Sequence, residues 1–127
     1  MRREKIILVV DDNAGMREVI GRSFALVAPG RFEIRVACDA RSALAMARAR
    51  LPDLVLTDLE MPVVDGAELV ARLREEFGER CPPIMLMSGR VGLHRIAESL
   101  GVHALPKPFD VCVLVPRLDA IFDAVPA

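Results

Sequence analysis

The chain has 127 residues, 53% of them hydrophobic and 28% charged, with a formal net charge of -1. A chain of this length hides roughly two-thirds of its unfolded surface on folding, enough for one domain with a substantial core. The composition excludes a disordered polymer, and the even charge balance excludes the basic footprint of a nucleic-acid binder.

In chain order, "MRREK" opens with charge, but the apolar run "IILVV" that follows is too short for a signal h-region or a membrane span. Residues 5–10 instead predict a strand, followed by Asp11, Asp12 and Asn13 and then a helix over 14–27. Further strands are predicted at 32–37, 54–57 and 84–87, with a weak one around 104–105. The runs at 5–10, 54–57 and 84–87 show no polar alternation, the pattern of strands covered on both faces. Helices are predicted at 40–50, 66–77, 92–100 and 111–122. Asp39 stands where an N-cap belongs, Gly78 and Gly101 stand where C′ glycines belong, and Pro116 inside the last helix predicts a kink.

Five β-α units make a parallel sheet with helices on both faces, because right-handed crossovers return the chain to a parallel neighbour only in that way. Cys38, Cys81 and Cys112 are odd in number, far apart and without a CxxC pair. They predict free, buried thiols in a reducing cytoplasm. Met85 and Met87 read as core filling, and His94 and His103 as surface or core imidazoles without a catalytic role.

In an open parallel sheet, ligands bind outside the carboxyl ends of the strands. Asp11 and Asp12 follow the first strand, Asp58 the third, Ser88 the fourth and Lys107 the fifth. Each has a plain alternative: Asp12 or Asn13 could cap the first helix, Ser88 the fourth, and Lys107 could be a solvated lysine before a turn. Their coincidence at one end of the sheet favours a shared site. Carboxylates held close together repel unless a cation lies between them, and Mg2+ suits carboxylate oxygens while leaving positions for phosphate. Neither GxxxxGK[ST] nor GxGxxG is present, so a covalent phosphoryl acceptor fits better than a bound nucleotide.

Four segments, "LVVDDN" at 8–13, "PDLVLTDLEMPVVDG" at 52–66, "PIMLMSG" at 83–89 and "LPKPF" at 105–109, together resemble the receiver domain of bacterial two-component response regulators. The resemblance spans essentially the whole chain, read as one receiver domain over 1–127 with no output domain. It implies a flavodoxin-like, doubly wound sheet of order 2-1-3-4-5. It implies that Asp58 accepts a phosphoryl group from a sensor histidine kinase or a histidine phosphotransfer protein, with Asp12 and Asp58 as direct Mg2+ ligands. Asp11 would act through a water, and the backbone carbonyl of Glu60 would complete the protein's share. Ser88 resembles the hydroxyl that bonds a phosphoryl oxygen, Lys107 the counter-charge, and the Lys107–Pro108 peptide would be cis. The expected downstream partner is a protein, with no direct contact to nucleic acid or membrane, and the chain is read as a monomer that catalyses only its own phosphorylation and dephosphorylation.

The chain departs from the family's pattern at Ala104, where the usual switch aromatic stands three residues before the lysine, and in a shortened segment between Ser88 and Lys107. That shortening predicts a truncated fourth helix, with His103 free to approach the vacated space. Glu60 and Arg90 are placed to tune the lifetime of a phosphoryl group. Competing readings are a receiver-like scaffold that signals without phosphorylation, and an aspartyl-phosphate phosphohydrolase, suggested by Glu60 two residues after Asp58.

Overall fold

Short, mostly apolar segments build the five strands of one parallel sheet in a computed structural model that describes residues 4–124. The strands are β1 (Lys5–Val10), β2 (Phe32–Ala37), β3 (Leu54–Asp58), β4 (Ile84–Ser88) and β5 (His103–Pro106). Between and after them run α1 (Ala14–Val27), α2 (Ala40–Ala49), α3 (Gly66–Phe77), α4 (Leu93–Leu100) and α5 (Val111–Ala124), with a 3-10 turn at Gly78–Arg80. The strand order is β2-β1-β3-β4-β5, every pair parallel. This is the doubly wound order that the resemblance implied. β3 and β4 each run one residue further than predicted, so that Asp58 and Ser88 are the last residues of their strands rather than the first of the loops.

Successive side chains of a strand point to opposite faces, and here both faces are buried. Leu8, Val10, Val55, Ile84, Leu86 and Ala104 pack beneath α2, α3 and α4. Ile7, Val9, Leu54, Leu56, Met85, Met87 and Leu105 pack beneath α1 and α5. Each fully buried side chain of this kind stabilises the fold by about 1.5–3 kcal/mol relative to exposure, and the one buried polar residue before the last position of β3 or β4, Thr57, satisfies its hydroxyl on the Asp58 carbonyl. The alanine-rich α2 turns Ala40, Ala43, Leu44 and Ala47 inward, and its arginine Arg48 forms a two-pronged ion pair with Glu76 of α3 on the surface.

The helices begin and end where local chemistry satisfies their free backbone groups. Asn13, Asp39 and Asp65 cap α1, α2 and α3 by accepting from Met16 N, Ser42 N and Glu68 N. Replacing Asn13 with Ala is expected to cost about 1 kcal/mol, measured as a lower urea midpoint with an unchanged slope. Gly92 caps α4 with φ 97 and no side-chain bond, so the helix starts one residue later than predicted. At its other end Gly101 takes a left-handed conformation, and Arg74 of α3 donates to the carbonyls of Leu100 and Gly101. α4 is correspondingly short, at 8 residues. α5 runs on through Pro116, whose ring lies on the exposed side, so the predicted kink does not end the helix.

Two further expectations are corrected. The cysteines are free but not buried: Cys38 and Cys112 are exposed and Cys81 is half-buried. Each lies in a loop or a first helical turn rather than on a core-facing strand position. His103 cannot enter the space beside Ala104, because strand alternation puts the two residues on opposite faces. His103 is in register with Met85 of the α1/α5 layer and Ala104 with Leu86 of the other. Partial burial, helped by Arg117, lowers the His103 pKa. No helix among the described residues is long and apolar enough to cross a membrane.

Candidate functional site

The apolar strand β3 ends in Asp58 and β1 is followed directly by Asp11, and their parallel pairing delivers the two acids to the same edge of the sheet. Val10 pairs with Thr57, so Asp11 and Asp58, the next residue along the chain in each case, stand side by side. Asp11 and Asp58 are buried, at 1% and 6% exposure, while Asp12 is exposed. Oxygens of Asp11, Asp12 and Asp58 lie within 4.8 Å of one another.

The local backbone is firmly held. Asp11 N donates to Ala37 O, Asp11 Oδ1 accepts from Asn13 N at 2.9 Å, and Arg17 donates to the Asp11 carbonyl at 2.7 Å. Around Asp58, Thr57 Oγ1 donates to the Asp58 carbonyl, Leu59 N donates to Met87 O, and Gly66 N returns to Leu59 O. The loop between β3 and α3 contains a tight turn in which Val64 N donates to Pro62 O across Val63, which has φ 67. A left-handed conformation is uncommon for a β-branched residue, and this one projects wholly into solvent beside the site.

Lys107 reaches the acids from β5. Its Nζ lies 3.4 Å from Asp58 Oδ1 and 3.7 Å from Asp11 Oδ2, distances of ionic attraction rather than of well-made hydrogen bonds. The Lys107–Pro108 peptide is cis, as the resemblance implied. Asp58 Oδ1 and Asp11 Oδ2 are both buried and have no hydrogen-bond partner. Burial pushes the Asp58 carboxyl above the usual carboxylate range, Lys107 pulls it partly back, and Asp11 adds to the rise. Unsatisfied buried carboxylate oxygens converging on one point fit a hard divalent cation such as Mg2+, whose all-oxygen preference matches this donor set.

Ser88 ends β4 in register with Pro106, and its carbonyl accepts from Lys107 N at 2.9 Å. Its hydroxyl donates to Glu60 Oε1 at 2.7 Å and accepts from Arg90 N at 2.9 Å. It therefore caps no helix. The structure brings Asp11, Asp12, Asp58, Lys107 and Ser88 to one end of the sheet. The Glu60 carboxylate stays outside the acid cluster and binds Ser88 instead, a contact no periodicity or spacing in the sequence announces. Ala104 is buried at 8% exposure, in the layer beneath α4.

Beside Lys107, α1 and the start of α5 enclose an apolar groove of about 580 Å3. Met16, Val19 and Leu26 line one wall, Phe109 and Val111 the other. Val19 and Leu26 leave 58% and 83% of their surface exposed.

Residues 7–119 match the response regulator receiver domain family. The response regulator MprA of Mycolicibacterium vanbaalenii is 33% identical over 118 residues, which cover 91% of this chain and 49% of that protein. The transcriptional regulatory protein PrrA of Mycobacterium tuberculosis is 32% identical over 118 residues, covering 91% of this chain and 48% of that one. The chain thus spans about half the length of these curated relatives. Among solved structures, the chemotaxis protein CheY4 of Vibrio cholerae is similar with a TM-score of 0.81 at 25% identity, covering 94% of this chain and 99% of that one. The receiver domain of NtrX from Brucella abortus is similar with a TM-score of 0.79 at 28% identity, again covering 94% and 99%. With the same sheet order and a match that runs from β1 into α5, the chain belongs to the response regulator receiver domain family of two-component signal transduction.

Proposed function

We propose that Asp58 is the phosphoryl acceptor of this receiver and that the donor is a phosphohistidine on a kinase or phosphotransfer protein. The observation that carries the reading is the pair of buried carboxylate oxygens, on Asp11 and Asp58, left without hydrogen bonds under a lysine ammonium. An Asp58 oxygen attacks phosphorus, the P–N bond of the phosphoimidazole breaks, and the imidazole leaves with the electron pair and takes up a proton. Asp12 and Asp58 would hold Mg2+ directly and Asp11 through a water, with the Glu60 carbonyl as a further ligand. When bound, the ion neutralises negative charge on the acids and on the transferring oxygens.

Lys107 supplies a point charge to the phosphoryl oxygens, and Ser88 a hydroxyl donor. The apolar groove between α1 and α5 adjoins Lys107, which suits docking of a helical donor that brings its imidazole over Asp58. The output is carried to a downstream protein by contact. Glu60, on which a phosphohydrolase reading rests, commits its carboxylate to Ser88 rather than to the acids.

The test is incubation with Mg2+ and a small acyl phosphate, followed by intact mass. Wild type should gain one phosphoryl group; no gain, or an equal gain in Asp58→Asn, refutes the assignment. Lys107→Ala should slow phosphoryl gain by about tenfold or more while leaving Mg2+ affinity unchanged or higher, since it removes a competing cation. Equal rates in Lys107→Ala and wild type would remove Lys107 from the mechanism.

A further inference from the structure

The hydroxyl of Ser88 is 1% exposed and has one proton to give. That proton is donated to Glu60 Oε1 at 2.7 Å, the short distance of a bond to a carboxylate. Its acceptor side is occupied by Arg90 N at 2.9 Å. One position back along β4, Met87 is paired with Asp58, whose Oδ1 is buried and has no hydrogen-bond partner. The hydroxyl nearest to the acids along β4 is thus committed to an exposed carboxylate, while a buried carboxylate oxygen goes without a donor.

A phosphoryl group on Asp58 presents acceptor oxygens. Ser88 can bond one of them only by withdrawing its proton from Glu60, because a single O–H cannot serve both. We propose that Glu60 is a positioning residue: its carboxylate holds the Ser88 hydroxyl in the resting arrangement and competes with the phosphoryl group for it. The inference rests on the acceptor role of Asp58 proposed above. The exchange needs no rearrangement of the core. Glu60 is exposed and its side chain can move into solvent, while the Ser88 backbone stays fixed by its bond from Lys107 N. Truncating the Glu60 side chain leaves the backbone carbonyl assigned to the metal in place.

The test uses beryllium trifluoride, a stable phosphoryl mimic that bonds to a carboxylate, titrated calorimetrically into the whole chain at saturating Mg2+. Glu60→Ala should tighten binding about tenfold, as release of one charge-assisted hydrogen bond predicts, and Glu60→Gln, which keeps an acceptor without the charge, about threefold. In a Ser88→Ala background, Glu60→Ala should change the affinity by less than about twofold. Unchanged or weaker binding in Glu60→Ala overturns the inference. So does equal tightening with and without Ser88, which would make Glu60 a general repulsive charge. Binding in wild type that is lost in Asp58→Asn but indifferent to Glu60 rejects the competition alone. No binding by wild type rejects the acceptor role, and the competition with it.

Discussion

Asp58→Asn will abolish phosphoryl gain and, in the absence of Mg2+, will melt above wild type at neutral pH. The first follows from loss of the attacking carboxylate, the second from loss of a buried charge. Burial raises the Asp58 pKa and Asp11 raises it further, with Lys107 offsetting only part. An acid whose folded pKa is raised holds its proton longer in the native state than in the unfolded chain. Native stability is therefore intact below the ordinary carboxylate range and falls as pH climbs through the raised value. The asparagine variant has no charge to desolvate and escapes that loss. The expected gain is about 1 kcal/mol, or about 3 °C in a domain of this size. The difference between the two proteins should shrink at pH 3 and again when Mg2+ is added to wild type. A variant that melts below wild type at every pH would show that Asp58 is not under electrostatic strain.

Gly66→Ala should be among the most damaging single-methyl additions in the chain. A Cβ at Gly66 would lie 2.5 Å from the Asp58 carbonyl oxygen and 2.9 Å from Leu59 Cα, both main-chain atoms that cannot swing aside. Gly66 N also donates to Leu59 O, so helix α3 and the end of β3 are in direct contact at this point. The substitution is expected to cost about 3 kcal/mol, the upper part of the usual range for overpacking, read from the urea midpoint. It should also displace Asp58 and slow phosphoryl gain. A loss of stability below about 0.5 kcal/mol would mean that the loop yields more easily than its hydrogen bonds suggest.

The sheet was legible because β1, β3 and β4 are buried on both faces and so read as unbroken apolar runs. The acids were legible because the buried strands carry no charged residue before their C-terminal ends other than Lys5 at the start of β1, which turns a list of exceptions into a map of one edge. Loop and edge detail was not. Nothing in local spacing tells that the Glu60 side chain reaches 28 residues along the chain to Ser88, or that Arg74 closes the end of α4. The cysteines were misplaced for a related reason: the average preference of a thiol for the interior gives way to its actual position in a loop or a first turn. His103 and Ala104 show the same limit on a strand. Adjacent residues share a sequence neighbourhood but not a face, and only the register with β4 assigns the face.

The hydrogen bond from Lys107 N to Ser88 O has a mechanical meaning. The two side chains proposed to touch a phosphoryl group hang from opposite ends of one main-chain link, so β4 and β5 are yoked at their tips. A pull on either side chain is shared by both strand ends. Behind them Ala104 contributes only a buried methyl group, so the link between the two strand tips is made by main-chain atoms and not by a ring at that position.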